Sequence, residues 1–454
     1  MTATAGRAGR AATRTRTAAS AAARALPNHR ITELDSGLRV ATEHMSSVRS
    51  AALGFFVAAG SRGEAAEESG LSHFLEHLLF RGTDRFGSAE IDQLFDAMGA
   101  ELNAGTDKES TTVYARMLDQ HLPRAFDVMA DMVWRPAFRE IDPEREVVLE
   151  EIAMYEDDPQ DTVFDVLGGA VFGSHPLGWP IIGRAPVIRD TPVDAIADFH
   201  GRRYVPGAVV VAAAGSVDHD QVVELAERTL GSARAGGEMA PRPDPAPTEL
   251  RSSVRFQRKD TEQCHVCLGA TGIQRGDERR FAIRVLDAIF GGLSSSRLFQ
   301  AVREERGLAY SVYSFSGQFS DTGQIGLYLG TRPDNLAEAM GVVRDELDAM
   351  RAQPASEEEL ARARENVKAR VVLALESTGA RMSRLGSSLL YDLPLLEPEE
   401  IMERIDAVTM DDLRALTDEL WAPERLSAAG IGPDEDAFRE AVAGVTPGAA
   451  QVAV

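Results

Sequence analysis

The run His73-Phe74-Leu75-Glu76-His77 places two imidazoles four residues apart, with a carboxylate between them. The apolar residues around it, over 71–80, have helical spacing, so both histidines would lie on one helix face and could hold a single metal ion. Glu76 could then exchange protons with a water molecule at that metal. The order H-x-x-E-H is the reverse of the commoner metallopeptidase pattern H-E-x-x-H. Either histidine could also be an ordinary core or surface residue, so a third ligand must be identified.

A second helix, predicted over 142–155, is the best source of that ligand, because a catalytic zinc site takes three protein ligands and a structural site usually four. We expect this helix to begin with Asp142 as its N-cap and Pro143 in its first turn. At about 100° per residue, Glu144 and Glu151 fall near the centre of one apolar arc. The residues that form this predicted arc are Val147, Val148, Ile152, Met154 and Tyr155.

Glu144 and Glu151 are therefore predicted to be functional. A carboxylate on a buried face costs free energy unless it binds a cation or a hydrogen-bond donor, whereas Glu146 and Glu150 point away from that face. We assign Glu151 as the third ligand and Glu144, two turns earlier, as a residue that orients a ligand. The alternative is that both glutamates reach past the edge of a core helix to water.

The spacing of these residues is similar to that of a known family. Glu151 follows His77 by 74 positions, and Glu144 stands seven positions before Glu151. The flanking runs Glu68-Ser69-Gly70-Leu71-Ser72 and Arg81-Gly82-Thr83 agree, as does Met98-Gly99-Ala100-Glu101-Leu102-Asn103-Ala104. From about Arg30 to about Gly444, the chain resembles the pitrilysin or insulinase family of inverted-motif zinc peptidases. Within that family it is most similar to the branch containing the β subunit of the mitochondrial processing peptidase and its bacterial relatives.

This resemblance implies a role for each residue of the predicted metal site. His73, His77 and Glu151 would bind Zn²⁺ as the cofactor. Glu76 would be the general base, and Glu144 would be the supporting acid.

The resemblance also implies residues that contact substrate. Asn103 and Ala104 match an edge strand that pairs with the main chain of an extended peptide, and Phe74 belongs to the same substrate-binding set. Arg303 and Tyr310 are seven positions apart, and in the resembled family an arginine and a tyrosine with this spacing reach the substrate carbonyl from the opposite half of the enzyme. Without the resemblance, Asn103 would be interpreted as a turn residue, Arg303 as a surface residue and Tyr310 as part of the core.

The chain is predicted to be an α+β protein of two homologous domains, each a mainly antiparallel sheet packed with helices. Residues 28–235 would form the catalytic zinc-binding domain, 236–249 a proline-rich linker, and 250–454 the second domain, which lacks the metal motif. Strand-like runs over 51–57 and 209–214 are expected to begin and end the first sheet. The runs 264–269 and 325–329 repeat this rhythm in the second half.

Two cysteines, Cys264 and Cys267, are too few for a disulfide framework and favour a reducing compartment. Their C-x-x-C spacing could suggest redox or metal chemistry. However, positions three apart on a strand face opposite sides of the sheet, so we assign both cysteines a structural role.

The overall composition fits a large enzyme, because 44% of the 454 residues are hydrophobic and can build a sizeable core. No apolar run approaches the roughly 18 residues of a transmembrane helix, so membrane insertion is not expected. A net charge of −23 argues against nucleic acid as a partner. Residues 1–27 contain five arginines and no acid, which predicts a disordered basic tail on a cytoplasmic protein; the alternative is a targeting segment for the mitochondrial matrix.

These observations predict a zinc metalloendopeptidase that hydrolyses extended peptides or presequence-like segments inside an enclosed chamber. The alternative is a non-catalytic or regulatory partner subunit in a heterodimer of the processing-peptidase type. Fused members of the resembled family are about twice this length. We therefore expect the chain to pair with a homologous chain, as a homodimer or a heterodimer.

Overall fold

The computed structural model describes residues 29–230, 243–247, 251–447 and 449–451. The first half contains strands β1 to β6 and helices α1 to α8. In chain order they are β1 His29–Glu33, β2 Arg39–His44, β3 Ser50–Val57, α1 Leu71–Leu79, α2 Ser88–Met98, β4 Glu101–Thr106, β5 Thr111–Leu118, α3 Leu122–Trp134, α4 Ile141–Asp157, α5 Pro159–Phe172, α6 Ala185–Asp190, α7 Val193–Arg203, β6 Val209–Gly215 and α8 His219–Leu230.

The second half contains strands β7 to β12 and helices α9 to α15. In chain order they are β7 Ser253–Arg258, β8 Cys264–Gly272, α9 Arg280–Phe290, β9 Ala309–Gln318, β10 Gly323–Thr331, α10 Leu336–Ala352, α11 Glu357–Ala374, α12 Thr378–Leu390, α13 Pro398–Asp406, α14 Met410–Leu420, β11 Ser427–Gly432, α15 Glu435–Ala443 and β12 Ala450–Gln451.

The two halves have matching sheets. Among the described residues, the first sheet has the order β1-β2-β6-β3-β5-β4 and the second has β12-β7-β11-β8-β10-β9. The parallel pair β2 and β6 corresponds to the parallel pair β7 and β11, and the three pairs that follow in each series are antiparallel. The outer pairs differ, because β1 and β2 are antiparallel whereas β12 and β7 are parallel. A repeated topology of this length is typical of a duplicated domain. The prediction of an α+β fold with two homologous, mainly antiparallel sheets is confirmed.

The predicted position of two strands in the first sheet is wrong. The runs at 51–57 and 209–214 do form strands, β3 and β6, but these are antiparallel neighbours at the centre of the sheet. β1 and β2 precede them in the chain, and β4 occupies the far edge. Both central strands are apolar throughout because helices cover both faces of this part of the sheet.

Each half covers one face of its own sheet, and one helix of each half packs on the sheet of the other half. α5 packs on β7, β8 and β11, where Leu167 and Phe172 share a cluster with Tyr328. In return, α12 packs on β2, β3 and β6, where Met382 shares a cluster with Phe56. The exchange joins the two halves through two separate apolar cores.

The two cysteines lie on opposite faces of β8, as predicted. Cys264 belongs to the core of the second half, whereas Cys267 lies in the cluster formed with α5. Both thiols are buried and free, and burial raises the pKa of each above its ordinary value. These properties fit packing residues.

Part of the predicted linker contacts both halves. Arg62 donates a hydrogen bond of 3.0 Å to the carbonyl of Asp244, and Ala246 N donates one of 2.8 Å to Asp321. The remainder of the linker and the predicted basic tail lie outside the described residues. None of the helices that the structure describes is long and apolar enough to cross a membrane.

Candidate zinc site

The metal motif lies on α1, and its start is fixed by a buried carboxylate. Glu64 accepts hydrogen bonds of 2.7 Å from the backbone N–H groups of Gly70 and Ser72, which satisfies donors that a helix start leaves free. Gly70 has φ = 96°, a left-handed conformation that glycine adopts without strain. Leu75 and Leu78 point into the core, so His73 and His77 face away from it.

Glu64 was missed by the sequence analysis. Burial raises the pKa of its carboxyl to about 7, although the bonds from Gly70 and Ser72 oppose that shift. A capping acid usually lies at the N-cap or three positions later, and these spacings can be found in a sequence. Glu64 reaches the helix start from a preceding loop, so no local spacing identifies it.

α1 and α4 together bring three potential ligand atoms to one point. Oε2 of Glu151 lies 3.7 Å from Nε2 of His73 and 3.4 Å from Nε2 of His77. A tetrahedral ion with ligands at about 2.0–2.2 Å separates its ligand atoms by roughly 3.3–3.6 Å. The described residues contain one such group of three histidine, cysteine or acidic ligands, and it is this one.

The polar atoms of this group fit a divalent cation. Oε2 of Glu151 is buried and has no hydrogen-bond donor among the described residues, a costly arrangement unless a cation binds there. Burial lowers the pKa of His73 to about 4, so its imidazole is neutral at pH 7 and offers a lone pair. Three ligands of this type leave one tetrahedral position open, as in catalytic zinc sites.

Glu144 supports His77 from the side opposite the ligand atoms. Its Oε1 lies 2.8 Å from Nδ1 of His77, and its Oε2 contacts Nε of Arg81. With Nδ1 protonated and donating to this carboxylate, Nε2 carries the lone pair that a metal needs. The structure thus places Glu144 where the sequence analysis assigned it, whereas Glu146 and Glu150 are exposed.

Glu76 lies beside the ligands and is held by the edge strand. The hydroxyl of Thr106, the last residue of β4, donates a hydrogen bond of 2.5 Å to Oε2 of Glu76. Burial raises the pKa of the Glu76 carboxyl above its ordinary value, while the Thr106 hydroxyl and the nearby His77 oppose this shift. A carboxyl with a raised pKa is better matched to proton transfer near neutral pH.

β4 is an edge strand, as the resemblance implied for Asn103 and Ala104. Within the described residues it pairs with β5 alone, so its outer side presents unpaired backbone groups. Asn103 is exposed, whereas Ala104 packs against the core that contains α1. The strand could accept an extended peptide along its free edge.

Three details predicted from the sequence are wrong. Phe74 is fully buried in the core, so it packs beneath the histidines and does not face a substrate. α4 begins at Ile141, and its N-cap is Glu140, two residues before the predicted N-cap Asp142. Val147 and Met154 are 49% and 67% exposed, so they do not belong to the buried arc of α4.

Arg303 and Tyr310 form a pair on the second half. The Arg303 guanidinium donates a 3.0 Å hydrogen bond to the Tyr310 carbonyl and lies 4.5 Å from the centre of its ring. Tyr310 is 75% exposed on β9, the edge strand that corresponds to β4. In the part of the chain that the structure describes, no hydrogen bond or ion pair joins this pair to Glu76 or to the metal ligands.

Comparison with known proteins shows the family of this chain. The model "Insulinase (Peptidase family M16)" matches residues 39–185, which include the whole triad, and "Peptidase M16 inactive domain" matches residues 192–367. An uncharacterized zinc protease of Streptomyces coelicolor is 42% identical over 414 residues, covering 90% of each chain. The chain belongs to peptidase family M16. An uncharacterized zinc protease of Bacillus subtilis, YmxG, is 37% identical over 400 residues, covering 88% of this chain and 97% of its own.

The M16 assignment confirms the predicted family, the peptidase class and zinc as the cofactor. A solved protease structure from Helicobacter pylori has a TM-score of 0.85 and 23% identity, and covers 90% of this chain and 100% of its own. It therefore confirms the fold alone. The relation to the processing-peptidase branch and the roles of individual residues stay predictions.

Proposed function

We propose that this M16 peptidase is an endopeptidase that hydrolyses extended peptides or presequence-like segments at the site formed by His73, His77 and Glu151. The observation that supports it most directly is the buried Oε2 of Glu151, which faces both Nε2 atoms and has no donor among the described residues. A peptide would pair with the free edge of β4, which ends beside Glu76.

The chemistry follows from the side chains around this point. Zinc, when held by the triad, polarises the scissile carbonyl and lowers the pKa of water. Glu76 accepts the proton of the attacking water and passes it to the leaving amine. Thr106 holds one oxygen of Glu76, so the other is free for that water. Glu144 fixes the ring of His77.

Arg303 and Tyr310 would stabilise the oxyanion that forms when the carbonyl is attacked. Tyr310 lies on the edge strand β9 and Arg303 contacts it from the preceding helical turn, but the pair makes no polar contact with the described zinc site. We therefore propose that a second, homologous chain brings its own arginine and tyrosine to this zinc, which would also close the chamber. The division into domains at 236–249 belongs to the same proposal.

A non-catalytic partner subunit is the second candidate, because the model that matches residues 192–367 is described as an inactive domain. That segment contains none of the triad. An inactive subunit would not need zinc or Glu76.

The substitution Glu76→Gln tests the proposed function. We expect zinc content to stay at the wild-type value while peptide hydrolysis is lost, because an amide cannot accept the proton of water. Metal analysis and cleavage of a quenched fluorescent peptide measure the two quantities. Activity within about tenfold of wild type would exclude Glu76 as the base, and a wild-type chain without zinc would favour the non-catalytic subunit.

A further inference from the structure

A groove of about 820 Å³ lies beside β4 and α12. In a strand, successive side chains point to opposite faces, and residues directly opposite each other on neighbouring strands share a face. Ala104 and Thr106 point toward the core and α1. Gly105 therefore points the other way, with its partner Thr112, onto the face where α12 packs.

α12 covers only part of that face. It packs over β2, β6 and β3, where a Cβ on Gly386 would lie 2.2 Å from the ring of Phe56. β5 and β4 continue beyond the helix, so Tyr114 is 40% exposed on the groove floor. Met382 and the hydroxyl of Ser383 line the helix side.

The charges in the groove wall are largely matched by partners of their own. Arg384 lies 3.1 Å from Glu43, and Arg275 lies 2.7 Å from Glu109. The remaining charge, Asp107, stands at the end of β4, and its Oδ1 accepts a hydrogen bond from the backbone N–H of Lys108. The accessible apolar surface comes from Tyr114, Tyr391 and Leu393, with serine and threonine hydroxyls around them, whereas Phe56 and Met382 are only 4% and 2% exposed. Such a surface suits large, uncharged side chains.

We propose that this groove is a specificity site for large hydrophobic side chains of the substrate. This inference rests on the proposed function, in which the peptide extends the sheet at β4. A peptide strand in that position points every second side chain toward α1 and the zinc ligands, and the others over the groove. The groove therefore selects alternate residues of the substrate, on the face away from the zinc.

Gly105 allows a direct test. A Cβ at this position would meet nothing within 4 Å, and its backbone has no positive φ, so Gly105→Leu can place a side chain in the groove without strain. Gly317 is the matched control: it lies on β9, the corresponding edge strand, and its Cβ would also meet nothing within 4 Å.

The experiment uses peptides in which one position at a time is Gly, Leu, Phe, Lys or Glu. For wild type, we expect Leu and Phe to exceed Gly in kcat/KM by roughly 10–100-fold at every second position along the segment bound to β4. Gly105→Leu should lower the ratio of kcat/KM for the Phe peptides to kcat/KM for the Gly peptides at least about tenfold. Gly317→Leu should leave the whole profile unchanged.

Binding of the same peptides to the zinc-loaded Glu76→Gln chain, with and without Gly105→Leu, separates this proposal from the proposed function. If Glu76→Gln still cleaves, the proposed function fails. If cleavage depends on Glu76 but Gly105→Leu keeps the wild-type preference in cleavage and in binding, the groove proposal alone is wrong. A preference for Lys or Glu, or one without alternation, would also overturn it.

Discussion

Glu151 and Glu150 are adjacent on α4, but only Glu151 faces the histidines. We expect Glu151→Gln to lose most bound zinc, because an amide oxygen is a weaker ligand than a carboxylate, whereas Glu150→Gln should keep it. Glu144→Gln should lie between them, with a loss of about 10–100-fold in metal affinity. Zinc per chain after dialysis against a weak chelator measures all three. The reverse order for residues 150 and 151 would contradict the proposed ligand set.

Thr106 links the edge strand to the proposed base. We expect Thr106→Val to lower kcat by about 10–100-fold with little change in KM or zinc content, because a hydrogen bond to a charged group contributes about 1.5–3 kcal/mol. Thr106→Ser keeps the hydroxyl and should restore most of the activity. Steady-state kinetics and metal analysis of both variants test this role. Equal loss in the two variants would mean that the strand and not the hydroxyl matters.

The clustering of His73, His77 and Glu151 could be predicted because helical spacing is local, and each position follows from the phase of one helix. Glu64 and Thr106 could not, since the first reaches α1 from a loop and the second from a strand. Their contacts depend on how separate elements pack. Sequence spacing carries no record of that packing.

At the scale of elements, the start of α11 is held by a charge pair. Arg297 donates hydrogen bonds of 2.8 and 2.9 Å to Glu359, which also closes a capping box with Ser356. The hydrogen bonds from Arg297 lower the pKa of Glu359 to about 2. Arg297 therefore anchors the first turn of this helix.

A carboxyl group whose pKa is lower in the folded chain than in the unfolded chain stabilises the fold at pH values above its unfolded-state pKa. This stabilisation is lost as the pH falls through the folded-state pKa. We therefore expect Glu359→Gln to lower the thermal midpoint at pH 7, and the difference from wild type to shrink between about pH 4.5 and pH 2. Glu358→Gln, one residue away and 90% exposed, should change little at any pH. Midpoints measured from pH 7 downward test this, and a constant difference would contradict it.

The phase of α4 was predicted well enough to place Glu144 and Glu151, but the predicted apolar arc included residues that are exposed. Val147 and Met154 lie on the exposed side of the helix. The prediction included them because a sequence does not show whether a neighbouring element covers a given apolar residue. The predicted position of β3 and β6 in the first sheet was wrong for a related reason. Apolar runs identify β3 and β6 as buried strands, but they do not show that the two are neighbours.

At the scale of the whole molecule, Arg303 and Tyr310 give a prediction about pairing. If two copies assemble head to tail, mixing a Glu76→Gln chain with an Arg303→Ala, Tyr310→Phe chain yields one site with both defects and one with neither. We expect mixed dimers to recover up to about half of the wild-type activity, although each parent is nearly inactive. Activity before and after subunit exchange, monitored by native mass spectrometry, measures this. No recovery after proven exchange would mean that the pair acts within one chain or that the natural partner differs.

The duplication could be predicted from the repeated rhythm of strands, but the exchange of α5 and α12 could not. Helical periodicity shows that one face of a helix is buried, and it does not identify the sheet that buries it. The placement of α5 and α12 follows from the packing of the two halves as a unit.

The exchange of α5 and α12 between the halves also means that the first sheet cannot be fully covered until late in synthesis. The last strand of the first sheet, β6, ends at Gly215, but α12, which covers Phe56, Val210 and Ala212, is complete only at Leu390. At about 5–20 residues per second, a ribosome needs on the order of ten to thirty seconds to make the intervening chain. During that interval the nascent first half exposes an apolar sheet face, so chaperones that bind such surfaces should bind it until α12 emerges.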